Sequence, residues 1–277
     1  PEDAAVYANP TYAKASGVSL IEDVQHEAMH VKPDGSKHYY AKRLYRRRSE
    51  DNGATWSEKE ELQKIGPDQL EGTQRHSLGI ILDPIHNVLI NLFFTHEVDL
   101  GEGVFSIGNL IQRTQRTYYQ LSHDGGINWT EPRQVIDSRP EYNEINWAPG
   151  VVYGVQGAHA AGQHVFLEDG TLVIGFAVMQ PETPSNFPEK DAEYYITTIH
   201  AQARLTENQD TLEWRFGEPI SVEFPNSTMG CCEPALAWLG GTRLFNTMRC
   251  QGSEKHNIYS TRYTTLSEDG GITWNDP

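Results

Sequence analysis

The sequence has few cysteines, no long apolar run and few basic residues, and each scarcity excludes a class of protein. The three cysteines among 277 residues, Cys231, Cys232 and Cys250, provide no disulfide framework. We expect them to be reduced core residues, although Cys250 could instead bridge to either of the others. No apolar run reaches the roughly eighteen residues of a transmembrane helix. The net charge of −16 argues against nucleic acid or an anionic membrane as a partner.

The remaining composition predicts one all-β domain that covers residues 1–277. Hydrophobic residues make up 38% of the chain, and the 24 glycines and 15 prolines suit many short strands joined by turns. No signal peptide is visible, but the chain begins with Pro1 rather than Met, so an earlier leader stays possible. A secreted or periplasmic location is favoured without being fixed by the sequence.

An octapeptide pattern occurs three times in the chain. The copies are SEDNGATW at 49–56, SHDGGINW at 122–129 and SEDGGITW at 267–274. Ser and Asp side chains bond to nearby backbone N–H groups, Gly adopts positive φ, and Trp anchors the turn in an apolar slot. We therefore predict that each copy is a structural hairpin turn whose Asp has no catalytic role.

This S-x-D-x-G-x-T-W pattern resembles the Asp-box (BNR) repeat of the sialidase superfamily of β-propellers. Between the turns the chain repeats a unit of apolar strand, tight turn, second strand, aromatic-rich third strand, and then the octapeptide or its remnant. The four units are residues 29–56, 78–129, 164–214 and 235–274, with an insertion from Glu97 to Arg116. The resemblance implies four-stranded antiparallel blades, about four of the six or seven in a sialidase-like ring, and therefore a chain incomplete at its C-terminus. A complete small propeller is the alternative.

Residues at the mouth of such a ring form its usual site. Alignment on the tight turns places these groups at the start of the innermost strands: Gln25-His26-Glu27, Gln74-Arg75-His76, His159-Ala160 and Cys231-Cys232-Glu233. The same alignment places these residues at the far end of the second strands: Arg43, His96, Val178 and Arg249. We predict that they converge on one pocket.

Two segments carry the resemblance into the site. The segments 230–236 and 241–249 resemble the sialidase segment in which a glutamate precedes a short strand and an arginine ends the next strand. In that family the glutamate polarises the catalytic Tyr, and the arginine belongs to the triad that binds the substrate carboxylate. The resemblance implies these roles for Glu233 and Arg249. Two departures stand against strict sialidase activity. Residues 24–28 lack the first-blade arginine of the family, and residues 41–45 leave no room for the loop that carries its acid. The family's Tyr and remaining Arg would lie beyond Pro277.

The predicted function is an exo-glycosidase that removes a terminal acidic sugar. Its catalytic candidates are Glu233, His26, His76 and His96, and its substrate-binding candidates are Arg75, Arg249, Gln25 and His159. One alternative is a lyase that acts beside a uronic acid, because neutral imidazole can remove a proton that a guanidinium has acidified. Another is a non-catalytic sugar-binding propeller. His76, His96 and His159 could supply imidazole ligands to a metal together with Glu233 or a cysteine, but their spacing matches no closed zinc motif, and neither a metal nor another cofactor is expected.

Overall fold

The computed structural model describes residues 3–15, 17–31, 37–64, 72–98, 114–180 and 195–276. Within these ranges all the regular secondary structure is β-strand except for one described helical element, a 3-10 turn at Glu254–His256. None of the described helical structure is long or apolar enough to cross a bilayer. The predicted all-β class is therefore confirmed.

The strands form four large sheets and one small pair, and sequential strands are neighbours in each. The first sheet contains β1 (Asp3–Ala15), β2 (Val18–Val31), β3 (Lys37–Ser49) and β4 (Glu60–Lys64), and the second contains β5 (Gly72–Asp83), β6 (Val88–Val98), β7 (Arg116–Ser122) and β8 (Arg133–Gln134). The small pair is β9 (Asn146–Ala148) with β10 (Val151–Val152). The third sheet contains β11 (Gly157–Phe166), β12 (Leu172–Gln180), β13 (Tyr195–Leu205) and β14 (Leu212–Phe216), and the fourth contains β15 (Cys231–Gly240), β16 (Arg243–Cys250) and β17 (Thr261–Ser267).

The first sheet differs from the predicted repeat. Its first hairpin turns at Gly17, which has a φ of 77°, so β1 is the first strand and β2 the second. The predicted turn at Pro33-Asp34-Gly35 lies outside the described residues, and β2 and β3 are the strands on either side of it. Gly17 and Gly35 are similar turn signals in the sequence. Neither one shows whether it connects the first strand to the second or the second strand to the third.

The strand order of the first sheet places residues 41–45 and 24–28 differently from the prediction. Residues 41–45 lie within β3 rather than after a second strand, so they say nothing about room for an acid-bearing loop. The connection from the second to the third strand is instead residues 32–36. Residues 24–28 lie on the second strand, so they are not the counterpart of an arginine on the first strand of a blade.

The chain divides into two compact units, and residues 1–104 with 118–133 form the first. Its apolar core joins the first and second sheets through Ala13, Val18, Ile21, Ile80 and Leu89, all of which are buried. Residues 99–113 lie outside the described residues, and with them most of the predicted insertion between Glu97 and Arg116. The prediction of a single domain stays a prediction.

An ion pair is buried in the first unit. Asp23 on β2 receives two hydrogen bonds from the guanidinium of Arg46 on β3, at 2.8 and 3.1 Å. The same guanidinium lies 4.5 Å from the centre of the Trp129 ring. Because a buried charge is costly unless it is paired and hydrogen-bonded, this bidentate contact lets the two sheets share a polar core.

Residues 105–117 and 134–277 form the second unit. Four aromatic side chains, Trp147, Phe176, Trp214 and Phe216, are almost completely buried and make edge-on or tilted ring contacts with one another. Further apolar contacts join the third and fourth sheets, where Leu167 and Val173 pack with Leu236 and Leu244. Interlocked aromatic rings contribute both buried area and specific geometry, so they fix how the strands stack.

The three octapeptides share one set of hydrogen bonds, as predicted. Each serine hydroxyl donates to its aspartate at 2.8–2.9 Å and accepts the N–H of the glycine four residues on at 2.8 Å. Each aspartate also accepts the N–H four residues later, at 2.8–2.9 Å. In the last two copies the indole N–H donates to a glycine carbonyl. The carboxylates are thus occupied with the turn itself.

Replacement of a box aspartate should destabilise the protein in a pH-dependent way. Partial burial raises the pKa of Asp124, but hydrogen bonds from Asn128, Ser122 and the Ile127 N–H outweigh it and hold the pKa below its ordinary value. Asp124→Asn should therefore lower the free energy of unfolding by about 1–2 kcal/mol at neutral pH. The stabilisation is present above the unfolded-state pKa and is lost as pH falls through the folded-state pKa.

Thermal melts of both proteins between neutral pH and about pH 3 measure this difference. The matched control is Asp210→Asn in the octapeptide remnant of the third repeat unit (residues 164–214), where Asp210 accepts from Thr206 at 3.2 Å. A loss at Asp210 as large as at Asp124 would contradict the assigned role of the box.

Candidate functional site

Three side chains lie in one row across the fourth sheet. Cys232 on β15 pairs with Arg249 on β16, and Arg249 pairs in turn with Arg262 on β17. Directly opposed residues of antiparallel strands point to the same face, with Cβ atoms about 5 Å apart. The row therefore brings two guanidinium groups together beside a buried thiol.

Glu233 lies next to this row at an irregularity of β15. The register between β15 and β16 shifts between Cys232 and Ala235, and Glu233 has a φ of 49°. A non-glycine residue at positive φ costs on the order of 1 kcal/mol. Its Oε1 atom lies 2.7 Å from Nη1 of Arg249, and the two side chains are 51% and 45% exposed. The irregular backbone thus presents an accessible ion pair at the end of β16.

The cysteines beside this ion pair are buried free thiols, as the sequence predicts for core residues. Burial raises the pKa of Cys231 to about 11 and that of Cys250 to about 12. Burial also raises the pKa of Cys232, and the nearby charges of Arg249 and Arg262 offset it only in part. Thiols that stay protonated at neutral pH are poor nucleophiles and metal ligands.

His159, a predicted binding residue, lies half-buried on β11. Its Nδ1 atom is 3.0 Å from Oε1 of Gln115. Because an amide oxygen only accepts hydrogen bonds, this geometry assigns the proton of a neutral ring to Nδ1 and leaves Nε2 as the basic nitrogen. His159 is therefore an imidazole that Gln115 holds at Nδ1.

His26, a predicted catalytic residue, lies on β2 in the first unit. Its Nε2 atom is 3.1 Å from the ammonium of Lys59, and its ring meets that of Tyr45 edge-on, with ring centres 5.3 Å apart. A lysine ammonium only donates, so Nε2 accepts. The basic nitrogen of His26 is therefore engaged within its own sheet.

Arg75, a predicted binding residue, belongs to the polar core of the first unit. Its guanidinium lies 3.6 Å from the centre of the Phe93 ring and donates to Gln120 at 3.2 Å. The Asn91 amide oxygen, oriented towards Arg75, accepts a further bond at 2.8 Å. Burial, followed by the charge of Arg46, lowers the pKa of Arg75 to about 10. These contacts describe an arginine that helps to hold the sheet together.

His76, a predicted catalytic residue, follows Arg75 on β5. Its ring stacks on Phe94 with ring centres 4.8 Å apart, and burial lowers its pKa to about 4. General bases work best when their pKa lies near the operating pH. A histidine with so low a pKa is a weak base at neutral pH.

The other predicted positions are only partly described. Gln25 is half-buried on β2, whereas the side chains of Glu27, Arg43 and His96 lie outside the described residues. Arg43 lies on β3, the third strand of its sheet, opposite His26. The prediction that Arg43 lies at the far end of a second strand is therefore wrong. Counted from the first paired residue of the second strand in each sheet, His26 and His96 lie eight residues on, whereas Val178 and Arg249 lie six residues on. Convergence of these residues on one pocket stays a prediction.

Two arginines near these positions were not found from the sequence. Arg262 can be identified only from the strand pairing, which places it opposite Arg249 although the two are thirteen positions apart in the sequence. Arg116 lies over the Tyr153 ring, 3.6 Å from its centre, a contact typical of cation–π pairs. A metal site receives no support from the described part of the chain, where no three His, Cys, Asp or Glu side chains are grouped to bind an ion.

The pKa of His76 provides a test of its role. We expect the His76 imidazole to stay neutral from pH 8 to about pH 5, because the folded protein excludes the charged form. Proton NMR of the ring, assigned by its loss in His76→Phe, measures this directly. Since the folded-state pKa is depressed, the stability that His76 contributes is complete above the unfolded value of about 6.5 and is lost as pH falls towards 4.

His76→Phe should keep the ring stack and remove this part of the acid sensitivity. A ring resonance that titrates near pH 6.5 in the folded protein would contradict the assignment.

Comparison with known families supports the repeat reading. The model of the BNR repeat-like domain matches residues 90–277, which is more than half of the chain. No curated protein sequence matches the chain significantly.

Solved structures with the same fold include sialidases and a lyase. A mutant of the NanB sialidase from Streptococcus pneumoniae aligns with a TM-score of 0.59 and 11% identity, over 100% of this chain and 52% of that one. The Hadza microbial sialidase Hz136 aligns with a TM-score of 0.56 and 15% identity, over 99% of this chain and 47% of that one. An ulvan lyase, a polysaccharide lyase, aligns with a TM-score of 0.51 and 12% identity, over 93% and 60%. The chain thus spans about half the length of these sialidases.

Proposed function

We propose that this chain, which belongs to the family of BNR repeat-like domains, is part of a carbohydrate-active enzyme that removes a terminal acidic sugar from a glycan. Its four large sheets would be blades of a six- or seven-bladed β-propeller. Support for the architecture comes from the three Asp boxes and from the fold shared with sialidases. Support for the activity comes from the chemistry of the fourth sheet.

The observation that carries the proposal is the exposed ion pair of Glu233 and Arg249. A guanidinium binds a carboxylate through two parallel hydrogen bonds, which a lysine ammonium cannot do. The whole chain carries a net charge of −16, so its overall field repels an acidic sugar. Recognition of such a sugar therefore depends on a few local cations, and Arg249 is one that solvent can reach.

Glu233 supplies the second half of this chemistry. Its carboxylate holds the Arg249 guanidinium in place at 2.7 Å, and it stays half-exposed at the irregular backbone of β15. Strained backbone persists where the surrounding structure enforces it, and such strain is concentrated at functional sites. We assign Glu233 a polarising role towards the reacting groups and Arg249 the binding of the sugar carboxylate.

Elimination beside a uronic acid is the alternative reaction. The held tautomer of His159 favours it, because a basic Nε2 removes a proton that becomes more acidic when an arginine neutralises the adjacent carboxylate. A sugar-binding propeller without catalysis is the third candidate. Such a propeller would bind the acidic sugar through Arg249 without cleaving the glycan.

The full-length protein distinguishes these candidates when it is incubated with sialosides and with oligosaccharides that contain uronic acid. Both reactions free a reducing end, but only elimination also creates a double bond conjugated to the carboxylate, which absorbs in the ultraviolet. Silence in both assays together with measurable sugar binding would identify the binding module. Neither turnover nor binding with either acidic glycan would refute the proposal.

Arg249→Gln should weaken binding of an acidic sugar by about 10- to 100-fold, because it removes a charged, bidentate hydrogen bond. Calorimetry with the acidic sugar and with a neutral analogue measures the loss. Arg243→Gln is the matched control, since Arg243 lies at the other end of β16 and pairs with Glu268 at 3.3 Å. Equal affinities for Arg249→Gln and the unchanged protein would rule out the assigned site.

Glu233→Gln should separate binding from turnover. The amide keeps the shape of the side chain but loses its charge, so we expect kcat to fall by about 100-fold or more with little change in KM. Glu254→Gln, on the exposed 3-10 turn that follows β16, is the control and should leave both constants unchanged. A rise in KM with unchanged kcat would show that Glu233 only binds substrate.

A further inference from the structure

We propose that Arg262 is the second guanidinium of the acidic-sugar site, so that the sugar carboxylate is held between Arg249 and Arg262. This inference rests on the proposed function, because it adds a binding residue to the same site. Arg262 belongs to no motif in the sequence, and strand pairing alone brings it to this place.

The two arginines lie side by side on one face of the fourth sheet. Arg249 and Arg262 are directly opposed on β16 and β17, so their side chains leave the same face of the sheet from Cβ atoms about 5 Å apart. Both residues are exposed, so solvent and ligands can reach the pair. Two planar guanidiniums at this spacing can each donate to one oxygen of a single carboxylate.

The placement of Arg249 opposite Arg262 has an electrostatic cost. Like charges directly opposite each other on neighbouring strands destabilise a sheet. Seven of the arginines that the structure describes have a carboxylate within 4.0 Å: Arg46, Arg47, Arg48, Arg139, Arg204, Arg243 and Arg249. No described carboxylate lies within that distance of Arg262. Its charge is therefore uncompensated in the part of the chain that the structure covers.

The charged groups at this end of the fourth sheet do not balance. Arg249, Arg262 and Glu233 together carry one net positive charge, which one singly charged carboxylate neutralises. Both guanidiniums also act on the same buried neighbour, since each pulls the pKa of Cys232 downward against the effect of burial. The other end of β16 provides the contrast, because Arg243 there has Glu268 as its partner. The excess of positive charge is thus confined to the end that holds Glu233.

The test is a double-mutant cycle in the full-length protein, with Arg249→Gln, Arg262→Gln and both together. The probes are N-acetylneuraminic acid, methyl glucuronide and neutral methyl galactoside, and calorimetry measures affinity at low and high salt. We expect Arg262→Gln to weaken binding of whichever of the two acidic sugars the protein binds by about 10-fold, and Arg262→Lys to lose less affinity than Arg262→Gln. The neutral probe should be unaffected, and the double mutant should lose less than the sum of the two single losses.

Thermal stability separates binding from a structural role. Arg262→Gln removes a like-charge contact, so its melting temperature should stay the same or rise, and Arg243→Gln should keep the full affinity. If Arg249→Gln loses affinity and Arg262→Gln does not, this inference is wrong while the proposed function stands. If neither variant loses affinity, the proposed site itself is wrong. A loss of affinity that accompanies a lower melting temperature and is not restored by Arg262→Lys would also overturn the inference.

Discussion

The hydrogen bond between serine and aspartate within each octapeptide is the constraint on which the sheets depend. It closes the turn after the third strand, and the glycine N–H bound to the same hydroxyl sets the path of the chain towards the next strand. Trp129 and Trp274 then reach back towards their own glycines. The serine and aspartate thus satisfy much of the turn locally, while other turn groups are bonded to residues outside it, as where Arg48 donates to the Gly126 carbonyl and Gln202 to the Gly270 carbonyl.

The sequence predicts this part of the structure well because the interactions are local. A Ser-x-Asp-x-Gly pattern contains its own donors and acceptors, so three turns and the strands before them follow from short stretches of residues. The first sheet shows the limit of this reasoning. Gly17 and Gly35 are both good turn signals, and only the pairing of β1 with β2 establishes which hairpin comes first. Pairing is a property of residues distant along the chain, and turn residues do not encode it.

The candidate site shows the same division. Glu233 and Arg249 were found because their segments resemble a known motif, and the structure joins them in an ion pair. Arg262 was missed because it becomes significant only when β17 pairs with β16. Arg75 and His76 were predicted as residues at the mouth of the ring, yet Arg75 lies over the Phe93 ring, His76 stacks on Phe94, and burial lowers the pKa of both. Desolvation depends on the packed neighbours of a side chain, and no spacing of residue types reveals it.

The short range of the octapeptide hydrogen bonds also bears on how the chain folds. In the last copy the bonded residues are only two to four positions apart, so the entropy lost on closing the turn is small. Such a turn forms before the distant strands of a sheet find one another, because contacts between neighbours in sequence form fastest. We therefore expect hairpin formation to begin at each octapeptide, so that the repeats give the chain several independent sites at which folding can start.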